Sequence, residues 1–182
     1  MRVLRKAVVR RKTREVDIYV EIDLDRKGYS IETDIPFFKH MLETFAKHSC
    51  ISLKLRAYGD DKHHTIEDTA IALGKAIAKA LGEKRGIRRF GQAIVPMDDA
   101  LAICGLDLSG RGYFVIEGEI DENYIHFFDT LCRNSGMNAH LIVKGQNMHH
   151  KIEACFKAFA LSFKSAREIV GEDVVSTKGT LD

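Results

Sequence analysis

The residues that could do chemistry stand in a repeated pattern. His63-His64-Thr65-Ile66-Glu67-Asp68 recurs in shorter form as His149-His150-Lys151-Ile152-Glu153, so His-His-x-x-Glu occurs twice. Each copy leads into a segment of helical period: Ile66, Ala70, Leu73, Ile77 and Leu81 after the first, Ile152, Phe156, Phe159, Phe163 and Val170 after the second. Residues four apart share a helix face. His63 can therefore act with Glu67, and His149 with Glu153. Imidazole with carboxylate suits a borderline or hard divalent cation. Adjacent residues diverge by about 100° on a helix, so the two histidines of a pair do not easily chelate one ion. Two metals are expected, each gathering ligands from more than one segment. A single histidine is ordinarily a hydrogen-bonded side chain with no ligand; a duplicated array of rare residue types is hard to obtain by chance.

The rest of the composition bounds the setting. With 182 residues, 45% hydrophobic and 30% charged, the chain has the make-up of a soluble globular protein of one domain or two small halves. A net charge of +2 is too small for a nucleic-acid stripe or an anionic membrane surface. No apolar run approaches the roughly 18 residues of a membrane span. The basic N-terminus has no continuous apolar core of a signal peptide. A cytoplasmic protein is expected. Cys50, Cys104, Cys132 and Cys155 are widely spaced, without Cys-x-x-Cys, and read as reduced thiols.

The elements that must position the motifs follow from periodicity. Residues 2–11 are a basic strand candidate. Val16, Ile18, Val20, Ile22 and Leu24 alternate with charged residues as a half-buried strand. A turn at residues 25–28 leads to a return strand over 29–33. Pro36 suits the first turn of a helix whose stripe is Phe37, Met41, Leu42 and Phe45, with His40 one step off it. Residues 51–57 alternate as a strand, and the first His-His helix runs to about Leu81, where Gly82 stands in a stop position. A second pass reads as strands over 100–108 and 113–119, a short helix over 125–133 and a strand over 138–144 carrying His140. The second His-His helix then runs to near Gly171. The order strand, strand, helix, strand, helix thus occurs twice, with Phe37-Phe38 and Phe127-Phe128 opening the short helices. We expect an α+β protein of two duplicated half-domains, residues 1–92 and 93–182. Each is a mixed or antiparallel sheet with helices packed on one face, as in the second domain of a ribosomal small-subunit protein. Residues 174–180 have no period and read as a tail. His48 and His126 belong to no motif and read as structural or exposed.

These motifs resemble the imidazoleglycerol-phosphate dehydratase family. The resemblance runs through Thr13-x-Glu15, Phe37-Phe38-x-His40-Met41-Leu42, the first His-His motif, Gly86-Ile87-x-Arg89-Phe90-Gly91 and Pro96-Met97-Asp98. It continues through Asp107-x-Ser109-Gly110-Arg111, Gly145-x-Asn147-x-His149-His150-x-x-Glu153 and Ser176-Thr177-Lys178-Gly179, covering nearly the whole chain in order. The chain departs from the pattern at Lys39 and Lys62, where the family usually has Asp, and in a shorter loop before His63; neither touches an expected ligand.

The resemblance implies dehydration of imidazoleglycerol phosphate to imidazoleacetol phosphate at a di-manganese centre. The metals would act as Lewis acids and as a template for the imidazole ring. The implied ligands are His40, His63, His64, Glu67, His140, His149, His150 and Glu153. Glu15 is the implied general acid/base, with Asp98 in support and Asp68 orienting ligands or water. Arg89, Arg111, Lys178 and Ser176 match phosphate-binding positions, where guanidinium forks suit phosphate oxygens. The family further implies a cage of 24 subunits with active sites between them; the residues themselves support sites shared between segments or chains. Two other readings use the same ligands: a binuclear metallohydrolase that activates water, and a non-enzymatic metal-binding cage. The cage leaves Arg89, Arg111, Ser176 and Lys178 unexplained.

Overall fold

The computed structural model describes residues 4–181. The first half runs β1 (Lys6–Lys12), β2 (Val16–Asp23), β3 (Gly28–Thr33), α1 (Pro36–Ser49), β4 (Ser52–Gly59) and α2 (Lys62–Leu81). The second runs β5 (Phe90–Met97), β6 (Ala100–Asp107), β7 (Tyr113–Glu117), α3 (Glu122–Ser135), β8 (Asn138–Lys144) and α4 (Met148–Ala166). The two halves have one topology: sheet orders β1-β2-β4-β3 and β5-β6-β8-β7, antiparallel except that β3 pairs parallel to β4 and β7 to β8. This is the expected α+β arrangement of two duplicated halves.

Alternation along the strands decides which face is covered. Val16, Ile18, Val20 and Ile22 of β2 are buried, as are Ala100, Ala102 and Cys104 of β6. The helices of each half lie on that face, and the two helix layers then pack together, α1 along α4 and α2 along α3. The core includes Phe38, Phe45, Phe127, Phe128, Phe156, Phe159 and Phe163. The outer faces differ. That of the second sheet exposes Ile94, Leu101, Ile103 and Val115, whereas Glu21, Lys54 and Arg56 occupy the outer face of the first.

Several elements depart from the sequence reading. The short helix expected over 125–133 runs over Glu122–Ser135, so Phe127-Phe128 does not open it, and the strand expected over 113–119 is Tyr113–Glu117. The strand expected from residue 2 begins at Lys6; residues 1–3 lie outside the described ones. A strand that the periodicity missed, β5, forms over Phe90–Met97. Helix α4 stops at Ala166 instead of near Gly171 because the chain turns to pair Ile169 with Ile87.

Arg167, at the end of α4, ties the halves together. Its guanidinium donates to the carbonyls of Leu24 (2.5 Å), Ser49 (2.6 Å) and Cys50 (3.0 Å), all in the first half, and the residue is only 7% exposed. Two of those carbonyls end α1, where a cation is favoured by the helix dipole. Arg167→Ala would strip donors from two buried carbonyls and one part-buried one. At roughly 1–3 kcal/mol for a buried group left unsatisfied, a loss of about 3 kcal/mol is expected. Denaturant unfolding at matched metal content would measure it; a loss under about 0.5 kcal/mol, the range of neutral surface changes, would show that the tie is dispensable.

Candidate functional site

All four helices start at one end of the molecule. Helix α1 follows Thr33, which pairs with Ala57 near the end of β4, and α2 follows Gly59. Helices α3 and α4 follow the matching ends of β7 and β8. His40 of α1 then meets His149 of α4, and His63 of α2 meets Asn123 of α3. The His-His motifs thus lie on first turns, as their spacing requires. Caps fix those turns: Asp61 accepts from the amides of His63 and His64, Asp121 from that of Asn123 and Asn147 from that of His150. Converging N-termini carry partial positive charge, which opposes a bound cation, so the carboxylates clustered there are needed to offset it.

The first group is His40, His149 and Glu153, whose donor atoms all lie within 4.8 Å of one another. Glu153 Oε2 stands 3.1 Å from His149 Nε2 and 3.4 Å from His40 Nε2. Its other oxygen accepts from Lys157 Nζ at 2.9 Å. Burial pushes the Glu153 carboxyl up, but Lys157, His149 and His40 outweigh that and hold it below its usual value. One carboxylate oxygen is thereby neutralised from behind and the other left for the imidazoles. Sequence reading missed Lys157, although its spacing of four from Glu153 on α4 was legible.

The second group repeats the first by pseudo-symmetry. His63 Nε2 lies 3.5 Å from Glu67 Oε2, and the His63 ring meets that of His126 edge-on at 5.6 Å between centroids. His126 is the fifth residue of α3, as His40 is the fifth of α1, and both helices have 14 residues. Asn123 Nδ2 donates to Asp121, which turns its Oδ1 toward His63 Nδ1 at 3.2 Å. A proton on Nδ1 satisfies that contact and leaves Nε2 free beside Glu67. His126 was read from sequence as structural or exposed; the structure places it as the counterpart of His40.

His140, expected among the ligands, joins neither group. It lies on the exposed face of β8, between Gly105 of β6 and Val115 of β7, on the side of the sheet that faces away from the helices. Strand alternation explains this: its neighbours Ala139 and Leu141 point into the core, so His140 cannot.

His64 and His150 diverge from their partners, as adjacent helical residues must. His64 Nδ1 contacts Asp60 at 2.9 Å, with Glu15 at 3.9 Å; Asp60 chiefly holds that imidazole above its usual value. His150 Nδ1 contacts Asp99 at 2.6 Å, and its Nε2 lies 3.5 Å from Asp98. Glu15 and Asp98 hold matching positions at the tips of the β1–β2 and β5–β6 hairpins. The amides of Glu15 and Val16 both donate to Thr13 Oγ1, and the Glu15 carbonyl accepts from the Asp60 amide. Gly59 makes that approach possible, since a Cβ there would stand 3.2 Å from the Glu15 oxygen and 2.4 Å from Thr65 Oγ1. Asp98 takes a left-handed φ of 48° in a two-residue turn between Met97 and Ala100, the conformation such hairpins demand. Asp68, expected to orient ligands or water, is buried and pairs with Arg11 of β1.

The phosphate candidates also assemble. Arg89, Arg111, Ser176 and Lys178 line one cavity of about 480 Å³. Arg89 is already engaged: Asp107 accepts both fork hydrogen bonds (2.8 and 3.1 Å) and the Val175 carbonyl a third (2.8 Å). Arg111 and Lys178 are exposed and have no ion-pair partner among the described residues. This cavity lies at the other end of the helices, where Gly110 bonds to Gly136 at the end of α3. Fourteen helical residues span roughly 21 Å, too far for one small substrate to touch both ends of a single chain.

The donor set fits divalent cations. Each group offers two imidazoles and one carboxylate, which suits manganese, iron, cobalt or zinc, and three protein donors leave positions open for further ligands. His40, His149 and Glu153 could hold one ion, and His63, Glu67 and His126 a second.

Comparison with known proteins identifies the family of the chain. Residues 33–163 match the family model described as imidazoleglycerol-phosphate dehydratase. The protein of that name from Archaeoglobus fulgidus is 52% identical over 178 residues, covering 94% of this chain and 97% of its own. That from Methanococcoides burtonii is 51% identical over 191 residues, covering 98% and 100%. The crystal structure of the Pyrococcus furiosus dehydratase superposes with a TM-score of 0.84 at 36% identity, covering 94% of this chain and 99% of that one. On these grounds the chain belongs to the imidazoleglycerol-phosphate dehydratase family, the hydro-lyases of histidine biosynthesis.

Proposed function

We propose that the protein converts imidazoleglycerol phosphate to imidazoleacetol phosphate by loss of water, at a two-metal centre built between copies of the chain. The observation that carries this is the donor triad His40–His149–Glu153, with its atoms within 4.8 Å of one another, and its looser pseudo-symmetric counterpart, His63 beside Glu67 and the His126 ring, at the converging helix N-termini. A pair of bound divalent ions, manganese by the family resemblance, would supply Lewis acidity to the substrate imidazole. The chain's own residues do the rest. Glu15 and Asp98, on hairpin tips beside the divergent histidines, can carry protons at the reacting carbons. Arg89, Arg111, Ser176 and Lys178 can grip the phosphate: Arg89 lines that cavity while held by Asp107 and the Val175 carbonyl, and Arg111 and Lys178 are its exposed cations.

Assembly is part of the proposal. His64 and His150 point away from their own triads, and the phosphate cavity lies too far off to serve them. Both mismatches are relieved if a neighbouring copy supplies the missing histidine or the phosphate grip. The apolar outer face of the second sheet, with His140 in it, is of the kind that a partner covers; the family resemblance implies 24 subunits. The test is a turnover assay. Metal-stripped protein reloaded with manganese is given imidazoleglycerol phosphate, and imidazoleacetol phosphate is followed by absorbance. Manganese-dependent product is expected. Absence of product from protein shown to hold two ions per chain would refute the assigned reaction.

A further inference from the structure

Two carboxylates outside the donor triads grip the divergent histidines by the ring nitrogen that points back into their own chain. Asp99 Oδ1 contacts His150 Nδ1 at 2.6 Å, while its Oδ2 accepts from the backbone amides of Gln146 (2.7 Å) and Asn147 (2.9 Å). Asp60 Oδ1 contacts His64 Nδ1 at 2.9 Å; no other group donates to its carboxylate among the described residues. The two arrive from different places. Asp99 is the second residue of the β5–β6 turn, whereas Asp60 lies in the short connection between β4 and α2. The same contact reached by two unrelated backbone routes is not explained by the duplication of the chain.

We propose that Asp99 and Asp60 are positioning residues that lock His150 and His64 with the proton on Nδ1, so that Nε2 is the atom each presents for ligation. This rests on the metal reading above. An ionised carboxylate only accepts, so the ring nitrogen facing it must carry the hydrogen. The opposite nitrogen then keeps its lone pair; at His150 the Asp98 carboxylate stands 3.5 Å from Nε2 and makes no hydrogen bond to it, against 2.6 Å for Asp99 on Nδ1. Such outer carboxylates orient the ring and raise its basicity. The lock is stiff at Asp99, because two amides fix the second oxygen. It is loose at Asp60, whose carboxylate is 55% exposed and otherwise unheld.

The difference between the two gives the test. In Asp99→Asn, the amides of Gln146 and Asn147 can only donate, so the side-chain oxygen stays with them. The NH₂ group then faces His150 Nδ1, which must accept, and the proton moves to Nε2. In Asp60→Asn nothing holds the amide, so it can turn its oxygen to the ring and preserve the tautomer. Full-length wild type, Asp99→Asn and Asp60→Asn would be compared in two ways. Cobalt(II) affinity would be measured by competition with a chelator. The tautomers would be read from solid-state ¹⁵N spectra of histidine-labelled, metal-free protein. In Asp99→Asn, affinity should fall by about 10–100-fold and one histidine should pass from Nδ1–H to Nε2–H. Asp60→Asn should change affinity by less than about tenfold and leave the spectrum as it was. An unchanged tautomer in Asp99→Asn overturns the proposal, even with weaker cobalt binding, because the aspartate would then act only as a loop brace. Wild-type protein that binds no cobalt would instead refute the metal reading, and with it the ligating role proposed for Nε2.

Discussion

Glu15→Gln should lower turnover by about 10²–10⁴-fold, the range for removing a positioned proton carrier, while metal content stays at the wild-type level. The geometry separates these two effects. Glu15 sits at a hairpin tip, is 56% exposed and approaches His64 Nδ1 only at 3.9 Å. It belongs to neither donor triad. Its backbone is held from both sides, by Thr13 Oγ1 on its amide and the Asp60 amide on its carbonyl, so the shape-matched amide should leave the turn intact. What the amide cannot do is take up and return a proton. Turnover and metal content measured on one preparation decide the matter. Full activity would remove Glu15 from the chemistry. Loss of metal would make it a ligand or a support for His64.

Much of this arrangement was legible in the sequence, and the parts that were not have physical reasons. The His-His-x-x-Glu repeat gave the helix starts, the face-sharing pairs and the divergence of His64 and His150, because helical spacing alone dictates them. The strand β5 was hidden by Pro96 and Gly91, residues that speak against a central strand. Here β5 is an edge strand, where a missing amide is tolerated, and Pro96 pairs with Leu101 near its end. The end of α4 was overread because Val170 continues the apolar period. In the fold, Arg167 turns out to grip the first half and Val170 donates its amide to Gly86. Asp60 and Asp99 carry no motif. Their roles come from what lies opposite them, which sequence order does not show.

The misplaced third histidine has a different cause, and it leads to the second large effect. Reading Phe37-Phe38 against Phe127-Phe128 puts the halves out of register and leaves His40 without a counterpart, so His140 was expected to fill the role. Aligning the two 14-residue helices from end to end instead sets His40 on His126, Thr44 on Thr130 and Ser49 on Ser135. The aromatic pairs then differ in position while the ligand matches. His126→Ala and His40→Ala should therefore behave alike, each losing one of the two ions under chelator challenge. The loss should exceed the roughly 10–100-fold that removal of an outer-shell partner causes. His140→Ala should keep both ions, since that side chain stands on the outer face of its sheet. Metal counts on the three variants after dialysis against a chelator test the register directly. If His140→Ala lost an ion and His126→Ala kept both, the pseudo-symmetric triad would be wrong, and His140 would have to reach the metal of a neighbouring copy.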